Sequence, residues 1–224
     1  MEKKRLLAEG LIKLFSGIVL TFVLLFLPAG DLMWKNGWIL MGVLFLPMFI
    51  AGIIMYAKAP DLLRRRLQAK ESEDVQKGVI AWSGVMFLAA FIIAGLNHRF
   101  HFCRFPSGAV TFGIIVFLLA YLMFGEVLRE NAYLSRTIEV SENQKVIDTG
   151  LYGIVRHPMY TATIFLFLSM PLILDSPISF VIMLGYLPLI ITRIKNEEEV
   201  LERELQGYTD YKKRVRYRLV PFIW

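Results

Sequence analysis

Residues 161–192 read TATIFLFLSMPLILDSPISFVIMLGYLPLIIT, an apolar stretch interrupted once, at Asp175-Ser176-Pro177. Arg156-His157-Pro158-Met159-Tyr160 stands before it and Arg193-Ile194-Lys195-Asn196-Glu197-Glu198 after it. The Pro-bearing turn folds the stretch into a helical hairpin, and a hairpin brings its two ends together. An Arg, a His and two carboxylates therefore converge at one membrane–water boundary. Ionisable residues at that depth are costly, which makes them functional candidates.

The rest of the chain has the same solvent in mind. Apolar residues make up 56% of it and the mean hydropathy is +0.55, against roughly 45–50% apolar in soluble domains. Residues 11–30, 37–57, 78–97 and 108–128 are each apolar over about 20 residues, the length that crosses about 30 Å of hydrocarbon as a helix. Residues 159–174 and 177–192 are shorter runs and read as a fifth and sixth span. The expected fold is an all-α integral membrane protein of about six hydrophobic helices, the last two a short hairpin, followed by a cytoplasmic amphipathic helix. Residues 1–128 form a four-span scaffold. Residues 129–224 form the region that carries the chemistry, one structural unit with the scaffold.

Charge sets the expected orientation. With the N-terminus cytoplasmic and six crossings, 22 of the 25 Lys and Arg residues fall on the cytoplasmic side, leaving only Lys35, Arg99 and Arg104 outside. That bias predicts cytoplasmic N- and C-termini. The net charge of +6 is then a membrane-surface property, with Arg64-Arg65-Arg66 read as topology determinants and headgroup contacts. No nucleic-acid motif accompanies it. Met1-Glu2-Lys3-Lys4-Arg5 and the run behind it have the order of a secretory signal. The run is long for one, and cleavage would leave an odd number of spans. A lone Cys103 provides no internal disulfide and no thiolate zinc site. His98, Arg99 and His101 read as solvated loop residues, and no metal is expected.

A polar connection, 129–155, leads from the scaffold to the hairpin. Thr137-Ile138-Glu139-Val140 alternates like a brief extended segment, and Asp148-Thr149-Gly150 is a turn signal. Pro158 suits the first turn of a helix, so His157 sits at a helix N-terminus, where the dipole disfavours protonation. A neutral imidazole that donates one hydrogen bond and accepts another is the expected form; simple capping is the alternative. After the hairpin, Ile194, Glu197, Glu198, Leu201, Leu205 and Tyr208 follow helical spacing as one stripe. Carboxylates at two of its positions need partners, because unpaired buried charge is costly. Glu199, Glu202 and Arg203 fall on the solvated face.

Gln144-Lys145-Val146-Ile147-Asp148-Thr149-Gly150-Leu151-Tyr152, Val155 to Tyr160, Arg193-Ile194 and Glu197-Glu198 together resemble the isoprenylcysteine carboxyl methyltransferase family. Its wider superfamily includes membrane phospholipid N-methyltransferases. Leu205, Gly207-Tyr208, Tyr211 and Arg216-Tyr217-Arg218-Leu219-Val220-Pro221 extend the resemblance over about the last 95 residues. Ala162 and Leu205-Gln206-Gly207 depart from the family's usual Gly and Phe-Gly. The resemblance implies S-adenosylmethionine as cofactor, S-adenosylhomocysteine as product, and a site on the cytoplasmic face. It assigns Gln144, Gly150, Tyr152, His157, Pro158 and Tyr160 to the cofactor pocket. Glu197 and Glu198 join them, Glu198 as a direct contact, while Arg193 and Arg156 are catalytic, nearest the acceptor or the cofactor carboxylate. No G-x-G-x-x-G links a strand to a helix, so the soluble Rossmann solution is absent.

The implied partners are membrane lipids and a lipophilic or lipidated substrate, with a prenylated cysteine carboxylate favoured by Arg193. A phospholipid amine or small thiol is the alternative acceptor. A non-enzymatic transport or assembly protein is the alternative of another class. It predicts charges spread through the spans, whereas the middles of the first, second and fourth hold almost none.

Overall fold

Each long apolar run folds as one helix. The computed structural model describes residues 2–67, 74–134, 140 and 144–224. Nine α-helices run through the described residues: α1 Glu2–Ala29, α2 Lys35–Lys58, α3 Pro60–Leu67, α4 Asp74–Phe100, α5 Ala109–Glu130, α6 Pro158–Ile173, α7 Pro177–Leu184, α8 Tyr186–Glu204 and α9 Tyr208–Arg214. A 3₁₀ turn, Gly150–Gly153, precedes α6. The described residues include no strand. The extended reading of residues 137–140 falls, but for Val140, outside the described residues.

Five segments are long and apolar enough to cross a membrane: Lys3–Ala29, Lys35–Lys58, Val75–Phe100, Ala109–Glu130 and Pro177–Glu204. The expected fifth span, α6, has 16 residues and is about 24 Å long, short of the ~30 Å hydrocarbon layer. The protein is thus an all-helical, multi-pass membrane protein. The expected sixth span and amphipathic helix are joined. Residues 177–204 form one path, broken only at Gly185, because Pro188 has no N–H to give the Leu184 carbonyl. The stripe counted from Ile194 also ends early. Leu205 leaves helical geometry and Gly207 turns left-handed at φ +86°, so Tyr208 belongs to α9.

One core joins the elements. Leu25 and Phe26 of α1, Leu40 and Met41 of α2, Ala90 and Ala94 of α4, Phe117 of α5, Ile173 of α6, Met183 of α7 and Ile190 and Ile194 of α8 are buried together. Gly95 sets the α1–α4 approach: a Cβ there would stand 2.5 Å from the Leu25 carbonyl oxygen. Leu205, Tyr208, Tyr211 and Val215 form a smaller cluster with Val146 and Leu201. His98, read from the sequence as a solvated loop residue, lies in the last turn of α4 and is partly buried: its Nε2 lies 3.0 Å from Asp31 Oδ2 and its ring stacks on Trp34.

Candidate functional site

Pro158 opens α6 and His157 is its N-cap residue. The cap is made by backbone alone: the His157 carbonyl accepts from the N–H groups of Tyr160 at 3.0 Å and Thr161 at 3.2 Å. The imidazole is therefore free of capping and turns to α8. Its Nε2 lies 3.1 Å from Glu198 Oε1, which also accepts from Arg156 Nε at 2.7 Å. Glu198 Oε2 accepts from Arg218 Nε at 2.9 Å. An ionised carboxylate only accepts, so the imidazole hydrogen facing it is on Nε2. Arg156, His157 and Glu198 are 6%, 5% and 3% exposed, which leaves each charge dependent on its partners.

The C-terminal segment closes over this cluster. Arg156 and His157 donate their backbone N–H groups to the carbonyls of Tyr217 and Arg218, each at 2.9 Å. Arg156 Nη1 donates to the carbonyls of Val215 at 2.7 Å and Arg216 at 2.8 Å. Thr161 Oγ1 donates to the Leu219 carbonyl at 2.9 Å. Arg156 is therefore a pin between α8 and residues 215–219.

A second polar chain starts one residue earlier on α8. Tyr160 donates its hydroxyl hydrogen to Glu197 Oε2 and accepts from Arg193 Nε at 2.9 Å. The Arg193 guanidinium lies 6.0 Å from the Tyr160 ring centre and donates through Nη1 to Gln76 Oε1 at 2.8 Å. Gln76, on α4, is fully buried.

These chains border a cavity of ≈ 100 Å³. Of the residues singled out from sequence, Gln144, Tyr152, Arg156, His157, Tyr160, Arg193 and Glu197 line it. Gly150, Pro158 and Glu198 do not. Gly150, at φ +51°, admits the Glu130 carboxylate, whose Oε1 would be 2.0 Å from a Cβ. Pro158 is buried in the helix start. Glu198, read from sequence as a direct contact, is committed to Arg156, His157 and Arg218 behind the wall.

Three of the lining residues not singled out as site residues bear on its chemistry. Asn131 donates through Nδ2 to the Tyr152 hydroxyl at 3.0 Å. Tyr211 donates to the Tyr152 carbonyl at 2.8 Å. The Tyr208 hydroxyl is buried and has no hydrogen-bond partner among the described residues. Burial pushes Tyr152 up to about 12. Tyr208 is pushed up by burial and then by the charges of Glu198 and Glu197. Both phenols keep their hydrogens.

A second cavity, of ≈ 330 Å³, adjoins the first through Met159 and Arg193, which line both. Its walls are mainly apolar, among them Phe117, Leu166, Phe167 and Met170. Arg66 also lines it, 3.9 Å from Met159 Sδ through Nη1, with its guanidinium 5.4 Å from the centre of the Phe124 ring. That placement differs from the headgroup contact read from the sequence.

Residues 109–203 match the model of the isoprenylcysteine carboxyl methyltransferase (ICMT) family. Over 91 residues the chain is 28% identical to a Delta(14)-sterol reductase of Mus musculus, covering 39% of this chain and 22% of that protein. The chain thus spans about a fifth of that relative's length. A solved structure of the eukaryotic intramembrane Ras methyltransferase ICMT, without a monobody, aligns over 97% of this chain and 86% of its own at a TM-score of 0.49 and 18% identity, a distant likeness. The residues that match this family model, 109–203, supply Tyr152, His157, Tyr160, Arg193 and Glu197 to the cavity, so the likeness to the isoprenylcysteine carboxyl methyltransferase family falls on the candidate site itself.

Proposed function

We propose that the protein is a membrane methyltransferase that uses S-adenosylmethionine and acts on a lipophilic carboxylate such as a prenylated cysteine. The observation that carries this reading is the pair of adjoining cavities, one polar and one apolar, that share Arg193. A water-soluble cofactor suits the polar one and a lipid-like acceptor the apolar one. Residues 129–224 act as the cofactor-binding region and residues 1–128 as scaffold, with the site and both termini on the cytoplasmic face.

The polar cavity has the groups such a cofactor needs. Tyr208 presents a buried hydroxyl without a partner among the described residues, and a buried polar group in that state calls for one. Glu197 supplies a carboxylate for a cationic or hydroxyl group, and Gln144 and Tyr152 supply further polar contacts. At ≈ 100 Å³ the cavity is tighter than the ~300–1,000 Å³ usual for ligand sites, so binding requires lining residues 144–147 to yield. When bound, the cofactor supplies the activated methyl group.

The chain's own residues then position and shield. Arg193, held by Tyr160 and Gln76, orients an acceptor carboxylate through charge-assisted hydrogen bonds. A carboxylate is already ionised and needs no base. Arg156 is committed to Glu198 and the carbonyls of Val215 and Arg216, so it shapes the wall and leaves acceptor contact to Arg193. His157, fixed through Nε2, does the same. Apolar walls exclude water from the acceptor side, which strengthens the Arg193 contact.

Calorimetry with S-adenosylmethionine and S-adenosylhomocysteine, on wild type, Glu197→Ala and Arg193→Ala, tests the reading. Micromolar binding, weakened in Glu197→Ala, and methyl transfer to a prenylated cysteine, lost in Arg193→Ala, support it. Transfer only to amines or thiols changes the acceptor. The sterol reductase likeness raises the rival of reduction of a sterol; reduction of a sterol without any binding of S-adenosylmethionine would replace our reading with it.

A further inference from the structure

We propose that Gln76 is the positioning residue for Arg193, and that it is an uncharged amide because the guanidinium it holds must keep its charge for an anionic acceptor. This rests on the methyltransferase reading above and adds a functional residue from outside the family-matched segment 109–203. Gln76 lies in the first turns of α4, at the head of a scaffold span, and is fully buried. A buried amide must place both its donor and its acceptor. Gln76 places both on α8. Its Oε1 accepts from Arg193 Nη1 at 2.8 Å. Its Nε2 donates to Asn196 Oδ1 at 2.6 Å and to the Arg193 carbonyl at 3.4 Å.

Arg193 and Asn196 are three residues apart on one helix and so share a face. The amide bridges them, and Asn196, by accepting from Nε2, fixes which end of Gln76 meets the guanidinium. Tyr160 holds the guanidinium at Nε. Two fixed acceptors on two different helices set the plane of the guanidinium at the junction of the polar and apolar cavities. Glu at position 76 would also hold it, but as an ion pair that neutralises the charge offered to a carboxylate. Leu would fill the space and hold nothing.

The experiment compares wild type, Gln76→Leu and Gln76→Glu as full-length protein in nanodiscs. Steady-state kinetics with a prenylated cysteine are run beside phenylglyoxal labelling of Arg193, read by mass spectrometry against Arg156. Gln76→Leu should lower kcat on the order of ten- to a hundredfold, as misplacement of a reacting group does, and speed labelling at Arg193 alone. Gln76→Glu should restore slow labelling while raising KM for the carboxylate about tenfold, the weight of one charge-assisted hydrogen bond. Affinity for S-adenosylmethionine should stay within about twofold in both, since Gln76 does not line the polar cavity. Equal labelling of Arg193 in wild type and Gln76→Leu, or kinetics matching wild type in both variants, overturns the proposal. If wild type transfers no methyl group, the functional reading falls, and the labelling still decides whether Gln76 holds Arg193.

Discussion

Tyr208→Phe should move stability and ligand affinity in opposite directions. Tyr208 is 4% exposed, lines the polar cavity, and its hydroxyl has no partner among the described residues. An unsatisfied buried polar group costs about 1–3 kcal/mol. Removing that oxygen while keeping the ring should stabilise the ligand-free protein by about 1 kcal/mol, or about 2–4 °C in Tm for a chain of this size. The bound state behaves oppositely. If S-adenosylmethionine supplies the partner, wild type gains on binding what the Phe variant cannot. A difference of about 1–2 kcal/mol corresponds to a Kd weaker by roughly five- to thirtyfold. Thermal unfolding of the ligand-free protein and titration calorimetry read the two effects separately. A lower Tm together with an unchanged Kd would refute the reasoning, because the hydroxyl would then have a structural partner and no ligand.

Glu198→Gln should cost about 3–5 kcal/mol, because it leaves Arg156 buried without its counter-charge. Glu202→Ala, which breaks only an exposed pair with Lys212, should cost at most about 1 kcal/mol; chemical denaturation in detergent separates the two. Stability should also fall as pH rises past 10. Tyr152, Tyr208 and Tyr211 are all held above the ordinary value of 10.0, chiefly by burial. The unfolded chain releases those protons first, so it binds fewer than the folded chain and the slope of stability against pH is negative there; Tm measured between about pH 9 and 11 checks the sign. Cys103, half-buried between α4 and α5, should react with an impermeant maleimide from outside intact cells only. Labelling solely in inverted vesicles would reverse the proposed orientation.

The spans were legible because a bilayer demands a fixed length of apolar helix, and the runs at 11–30, 37–57, 78–97 and 108–128 meet it. The Arg156–Tyr160 and Arg193–Glu198 motifs were legible as neighbours because the turn at 175–177 left one way to fold. What escaped the reading is tertiary. Glu197 and Glu198 look equivalent as adjacent carboxylates, and only the position of residues 215–219 decides that Glu198 is enclosed by Arg156, His157 and Arg218. Gln76 is one polar residue heading an apolar run, a pattern shared with any headgroup-level side chain. Its contact with Arg193 crosses 117 positions of sequence. Arg66 carries the same ambiguity. Tyr208 fell on the stripe by arithmetic, yet it faces inward because a new helix begins after Gly207.

The bonds from Arg156 and His157 to the carbonyls of Tyr217 and Arg218 order events at the ribosome. Spans can enter the bilayer one by one as they emerge, since each satisfies its own backbone. The wall of the polar cavity cannot be completed that way. It waits for residues 215–219, synthesised long after His157 has reached the interface. Until then the Arg156 side chain lacks two of its acceptors. Insertion of these spans therefore does not by itself give a working pocket, which waits for the docking of a short strap.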